Sequence, residues 1–123
     1  MKKRILCVDD DPAVLSLLAE RLRSDGRFEI LTATGGREGV REAARAAPHL
    51  VICDIDMPDL DGGSLAAVLR ADAATREIPI LFLSNLVPAG TQERVGGWPM
   101  LSKSETASRL SREIDRLTAE PAP

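Results

Sequence analysis

Aspartates crowd two short stretches of the chain, Asp9-Asp10-Asp11 and Asp54-Ile55-Asp56. Each follows a run of aliphatic residues directly, Ile5-Leu6-Cys7-Val8 in one case and Leu50-Val51-Ile52-Cys53 in the other. If the ends of the two runs lie side by side, Asp9, Asp10 and Asp54 converge. Carboxylates that close repel one another, and one of them takes up a proton near neutral pH unless a cation compensates. Magnesium suits such a set: it takes oxygen ligands in an octahedron, keeps several waters, and is held by one or two carboxylates together with phosphate oxygens. Ser84 and Lys103 add a hydroxyl and an ammonium, the groups that hydrogen-bond and neutralise transferred phosphoryl oxygens. Taken alone, Asp9-Asp10 is equally a solvated strand-to-helix loop; joined to Asp54 it points to metal-assisted phosphoryl chemistry.

Positioning these groups requires an alternation of strands and helices, and short apolar runs do alternate with helix-period segments along nearly the whole chain. After the first run, Asp11 is placed as an N-cap and Pro12 at the first helical position; Val14, Leu15, Leu18 and Leu22 make the apolar stripe and Gly26 the stop. Phe28–Leu31 reads as a second strand, and Gly35-Gly36 precede a weaker helix carrying Val40, Ala43, Ala44 and Ala47, closed by Pro48. Leu50–Cys53 is too apolar for a half-exposed edge and is placed centrally. Pro58 and Gly62-Gly63 make a loop before a helix with Leu65, Val68 and Leu69, and Pro79–Leu83 is a fourth strand ending at Ser84. From Asn85 to Pro99 the prolines and glycines leave room for no more than a turn or two of helix. Met100-Leu101 reads as a short fifth strand before Lys103, and a last helix with Leu110, Ile114 and Leu117 ends before Pro121.

In open α/β sheets ligands sit beyond the carboxyl ends of strands where strand order reverses, and in the flavodoxin-like order 2-1-3-4-5 the first and third strands flank that point. The alternation argues for an α/β fold of βα units around a mostly parallel sheet, with the segment of the fourth helix short or irregular. All the chemical residues then share one sheet edge. The length of 123 residues suits a single domain, placed at residues 1–118 with 119–123 as a tail or the start of a linker.

Composition excludes several other functions. A formal net charge of −3 gives no basic field for a nucleic-acid backbone or an anionic membrane, and 2% aromatic residues cannot build a stacking platform for bases. Met1-Lys2-Lys3-Arg4 imitates the start of an export signal, but the apolar run after it is cut short by aspartates. Cys7 and Cys53 sit inside apolar runs, as buried thiols do in a reducing compartment. A cytoplasmic protein with neither a nucleic-acid nor a membrane partner is expected.

Two long motifs, Ile5-Leu6-Cys7-Val8-Asp9-Asp10-Asp11-Pro12 and Val51-Ile52-Cys53-Asp54-Ile55-Asp56-Met57-Pro58-Asp59-Leu60-Asp61-Gly62, followed by Ser84 and Lys103, resemble the CheY-like receiver domain of two-component response regulators. The resemblance covers residues 3 to 118 and implies an α/β, flavodoxin-like (βα)5 three-layer sandwich whose parallel five-stranded sheet has the order 2-1-3-4-5. It implies that Asp54 accepts a phosphoryl group from a phosphohistidine on a sensor histidine kinase or phosphotransfer protein and passes the signal to a downstream protein or fused output domain. It implies Mg²⁺ held by Asp10, Asp54 and the backbone carbonyl of Asp56, with Asp9 acting mainly through water. Lys103 would contact the phosphoryl oxygens and Ser84 would swing toward them. Such a domain is no enzyme beyond its own phosphotransfer and dephosphorylation.

The chain departs from the family in four places. Ser104 replaces the proline whose cis bond usually aims the lysine inward, so either the Lys103–Ser104 bond is trans and Lys103 is aimed differently, or the fold sustains a strained cis bond. Asn85 stands where a small residue usually leaves the pocket open, and Met100 where an aromatic switch is usual. The fourth helix is curtailed. These departures motivate a second reading, a degenerate receiver that binds partners without phosphorylation. A third reading rests on Asp54-Ile55-Asp56, which imitates the nucleophile and acid pair of haloacid-dehalogenase-like phosphatases; that motif normally ends the first core strand and needs a later acidic loop absent here.

Several residues have plainer expectations. Asp11 is a helix cap, and Asp59-Leu60-Asp61-Gly62 is turn chemistry. His49 is a surface residue preceding a strand, Cys53 belongs to the core, and Trp98 is either a plug against the sheet, the preferred reading, or an exposed anchor for a partner. Arg41, Arg45, Arg109, Arg112 and Arg116 lie on solvated helix faces with acids nearby.

Overall fold

Apolar runs become strands and capped amphipathic segments become helices in the computed structural model, which describes residues 2–119. In chain order these are β1 (Lys3–Val8), α1 (Pro12–Asp25), β2 (Phe28–Ala33), α2 (Gly36–Ala46), β3 (Leu50–Asp54), α3 (Gly62–Ala71), β4 (Ile80–Ser84), β5 (Glu93–Val95), β6 (Trp98–Ser102) and α4 (Ala107–Leu117). The Asp11 carboxylate accepts the N–H groups of Ala13 and Val14 at the start of α1, and Gly26, at φ +80, turns the chain out of the helix. Asp61 caps α3 and Thr106 caps α4, each through a side-chain oxygen on a first-turn N–H.

The sheet order is β2-β1-β3-β4-β6-β5. From β2 to β6 the pairing is parallel, with Val8 level with Cys53, Asp54 with Leu83, and Ser84 with Ser102. That register sets the carboxyl ends of β1, β3, β4 and β6 side by side. Strand alternation sorts the core into two layers. Ile5, Cys7, Ile52, Leu81 and Leu101 face α1 and α4, where Leu15, Leu22, Leu110 and Ile114 meet them. Leu6, Val8, Val51, Cys53 and Phe82 face α2 and α3, against Ala43, Leu65 and Leu69. β3 and β4 are buried at every position at the centre of the sheet, where each fully buried Leu, Ile or Phe contributes about 1.5–3 kcal/mol.

The flavodoxin-like fold is that of the sequence reading, with one local correction. Among the described residues no helix lies between β4 and β6; the expected turn or two is replaced by the β5–β6 hairpin, so the sheet has six strands, the last antiparallel. Gly96 (φ +57) and Gly97 (φ +87) link the paired residues Val95 and Trp98, and two positive φ values in a two-residue loop are what a twisted hairpin requires. The strand expected at Met100-Leu101 is thus longer, Trp98–Ser102. Trp98 is half-buried and packs on the layer shared with α2 and α3, and Met100 is buried level with Phe82. Residues 120–123 of the expected tail lie outside the described residues.

Candidate functional site

Asp54 ends β3, Asp9 and Asp10 follow β1, Ser84 ends β4 and Lys103 follows β6, so the parallel register delivers all five to one sheet edge. The approach of α3 to the end of β3 depends on Gly62. A Cβ there would stand 2.8 Å from the Phe82 ring and 3.0 Å from the Asp54 carbonyl oxygen. Asp9 and Asp54 are 3% and 7% exposed, whereas Asp10 is open to solvent. One carboxylate oxygen from each lies within 4.8 Å of the other two. Lys103 Nζ stands 2.8 Å from Asp9 Oδ2 and 3.3 Å from Asp54 Oδ1. The acids and Lys103 line a cavity of about 320 Å³ whose rim includes Asn85 and Leu86, the latter 80% exposed.

Hydrogen bonds fix most of these groups. Asp9 Oδ1 accepts the Asp11 N–H at 3.0 Å, and Asp54 Oδ1 accepts the Asp56 N–H at 3.4 Å. Ser84 is buried with its Oγ accepting the Leu86 N–H at 3.0 Å, which leaves its own O–H to donate elsewhere. The Asp56 side chain is exposed at the same opening.

Charge balance in the pocket is incomplete. Burial and then the Asp9 charge push the Asp54 carboxyl above its usual range, with Lys103 opposing them. Burial also works against the Lys103 ammonium, but the hydrogen bond to Asp9 and the charges of Asp54 and Asp9 outweigh it and raise its pKa. With all three acids ionised, a single ammonium leaves two negative charges uncompensated. Hard carboxylate oxygens with that charge deficit fit a divalent cation of the magnesium class.

No cis peptide occurs among the described residues, so of the two alternatives the strained cis bond is not used, and Lys103 reaches the acids across a trans bond. Other bonds shape the turn: Lys103 N–H donates to the Ser84 carbonyl at 2.8 Å, Ser104 N–H to Ser102 Oγ at 3.0 Å, and Glu105 N–H to the Ser102 carbonyl at 3.1 Å. Two acids have roles that the sequence did not disclose. Glu105 is buried and accepts the Gly90 N–H at 2.9 Å with the Arg109 guanidinium 3.9 Å away, tying the β4–β5 loop to the turn after Lys103. Asp59 bonds the first N–H groups of α2 from the β3–α3 loop. Gly90 lies fifteen residues from Glu105 and the start of α2 more than twenty from Asp59, so neither bond left a local signal, whereas Asp61 caps the helix beside it.

The remaining candidates are structural. His49 Nδ1 accepts the Arg4 backbone N–H, and the His49 backbone N–H donates to the Arg4 carbonyl, stitching the start of β3 to β1. Cys7 and Cys53 are free, buried thiols. Desolvation pushes Cys7 up to about 12 and raises Cys53 also, with Asp54 adding to the latter, so neither supplies a thiolate. Arg45 pairs with Glu42 and Arg116 with Glu113 on exposed helix faces.

Fold and site together define a class, a flavodoxin-like domain with a cation-ready acidic pocket, a bridging lysine and a buried hydroxyl at the carboxyl edge of its sheet. Residues 5–115 match the family described as the response regulator receiver domain, and the chain belongs to that family, the receiver modules of two-component systems. Membership displaces the phosphatase reading. Over 94 residues the chain is 40% identical to the transcriptional regulatory protein PrrA of Mycobacterium tuberculosis, covering 76% of this chain and 38% of that protein. Over 122 residues it is 35% identical to the transcriptional regulatory protein GlrR of Escherichia coli, covering 97% of this chain and 27% of that protein. The chain thus spans well under half the length of either relative. Among solved structures it is similar to the receiver domain of the sensor histidine kinase PA1611 from Pseudomonas aeruginosa, which has a magnesium ion coordinated in its active site cleft. The TM-score is 0.84 at 28% identity, covering 98% of this chain and 100% of that one. Response regulators interact with histidine kinases and output domains. Among the described residues no helix is long and apolar enough to cross a membrane.

Proposed function

We propose that this chain is a phospho-acceptor receiver domain, in which Asp54 takes a phosphoryl group from a phosphohistidine of a histidine kinase or phosphotransfer protein and the domain changes conformation in response. The observation that carries the reading is Lys103 Nζ bridging Asp9 and Asp54 beside Asp10, at the sheet edge where Ser84 also ends. Asp9, Asp10, Asp54 and the Asp56 backbone carbonyl are the groups assigned to Mg²⁺. When bound, Mg²⁺ supplies Lewis-acid neutralisation of the carboxylate and phosphoryl oxygens. An Asp54 oxygen forms the new bond to phosphorus as the phosphorus–nitrogen bond to the donor histidine breaks, and that electron pair stays on the imidazole. Lys103 already lies against Asp54 and offsets charge on the incoming phosphoryl oxygens. Ser84 has its O–H free to donate to one of them, and turning toward it would release the Leu86 N–H. Loss of that bond would loosen the start of the β4–β5 loop, whose far end Glu105 holds.

Titration with Mg²⁺ and then beryllofluoride, followed by Trp98 fluorescence and by the amide shifts of Asp54, Ser84 and Lys103, tests the proposal. Saturable changes at millimolar Mg²⁺ that grow with beryllofluoride are expected; silence at millimolar Mg²⁺ contradicts it. If Asp54→Asn left partner binding and cellular output intact, a phosphorylation-independent interaction domain would replace this reading.

A further inference from the structure

The N-terminus of α2 has no cap of its own, because Gly35 offers no side chain. The Gly36 and Arg37 N–H groups donate instead to the two carboxylate oxygens of Asp59, each at 3.0 Å. Asp59 lies in the loop between β3 and α3, so it caps a helix more than twenty residues upstream. Contact between loop and helix is tight. A Cβ on Gly35 would stand 3.3 Å from Asp59 Oδ2, and one on Gly36 would collide with the Leu60 carbonyl oxygen. At its start the loop is held by the Ile55 N–H on the Leu83 carbonyl, 3.1 Å, and at its end by the Gly62 N–H on the Ile55 carbonyl, 2.9 Å. Only Met57, which is buried, and Pro58, with its fixed φ, separate Asp56 from Asp59. The chain between them has little slack.

We infer that Asp59 is a positioning residue for the divalent-cation site: by fastening the β3–α3 loop to α2 it sets the Asp56 main chain at the mouth of the acidic pocket. Cation affinity then depends on a carboxylate outside the Asp9, Asp10 and Asp54 cluster. The inference rests on the proposed assignment of Mg²⁺ to that pocket. Groups bonded directly to a metal ligand typically change affinity 10- to 100-fold when removed, and Asp59 acts one link further out through the backbone, so a change of about three- to tenfold is expected.

The test is an Mg²⁺ titration of the wild-type domain, Asp59→Ala and Asp59→Asn, read from the amide shifts of Asp54 and Asp56, with urea unfolding in EDTA measured separately. Asp59→Ala should weaken Mg²⁺ about three- to tenfold. Asp59→Asn keeps one acceptor oxygen and should fall between it and wild type, with faster amide exchange at Gly36 and Arg37 in both variants. A cap that served stability alone would lower the urea midpoint and leave the Mg²⁺ dissociation constant unchanged, which would overturn the inference. If Asp59→Ala does not fold, an unchanged constant in Asp59→Asn overturns it equally. Wild-type protein that binds no Mg²⁺ removes the metal assignment and this inference together, whereas wild-type binding with indifferent variants removes the inference alone.

Discussion

Replacing Asp54 by Asn should make the metal-free domain more stable at neutral pH, although it removes the group on which the proposed chemistry turns. Burial and the charge of Asp9 hold the Asp54 carboxyl above its ordinary value, so the native state binds that proton more tightly than the unfolded chain does. Stability therefore falls as pH rises from the ordinary carboxylate value of about 3.9 through the raised native value, and the whole penalty is in force above it. Asn matches the shape of Asp, keeps an oxygen for the Asp56 N–H and presents no charge to Asp9. Lys103 loses its 3.3 Å ion pair but keeps the shorter one to Asp9 at 2.8 Å, so the gain is partly offset. Relieving a conflict of this kind at a functional site commonly yields about 0.5–2 kcal/mol. Urea unfolding in EDTA from acidic to neutral pH should show the advantage of the variant growing with pH. Saturating Mg²⁺ should then favour wild type, since ligand at 100 times its dissociation constant adds about 2.7 kcal/mol. An Asn variant less stable than wild type at neutral pH in EDTA, or an advantage indifferent to pH, would refute the electrostatic reasoning.

Three further substitutions probe the supports of the site. Lys103→Met strips two buried carboxylates of the ammonium that bridges them; a fully buried pair broken this way costs about 3–5 kcal/mol, and the open mouth of the pocket reduces this to about 1–3 kcal/mol, partly restored by Mg²⁺ in urea unfolding. Gly62→Ala puts a methyl 2.8 Å from the Phe82 ring and 3.0 Å from the Asp54 carbonyl, so it should cost about 1–3 kcal/mol and weaken Mg²⁺ binding by displacing Asp54. Glu105→Ala frees the Gly90 N–H, and hydrogen exchange across residues 86–92 should accelerate while global stability falls by about 1 kcal/mol; unchanged exchange would show that Glu105 does not hold the loop.

Residues whose partners are near in sequence were the ones whose roles could be read from it. Asp11-Pro12 and Gly26 bracket α1 by local chemistry alone, and the uninterrupted apolar run of β3 could only be a buried central strand. Convergence of Asp9, Asp10 and Asp54 followed from a single topological rule, that the ends of the first and third strands flank the reversal of strand order. The β5–β6 hairpin was obscured because Pro88, Gly90 and Pro99 weigh toward loop, while β5 is short, polar and exposed and so lacks the alternation that marks a strand. Its Gly96-Gly97 pair was the available signal. Long-range bonds were invisible for a different reason. Asp59 to α2, Glu105 to Gly90 and the Lys103 N–H to the Ser84 carbonyl join residues whose proximity exists only after folding.

Acceptance of a phosphoryl group by one aspartate is most directly measured by intact-mass analysis with peptide mapping after incubation with acetyl phosphate and Mg²⁺. One added phosphoryl group on Asp54, absent with EDTA and absent in Asp54→Asn, is the predicted result. An unmodified protein under conditions where Mg²⁺ demonstrably binds, or a modification carried by a residue other than Asp54, would contradict it.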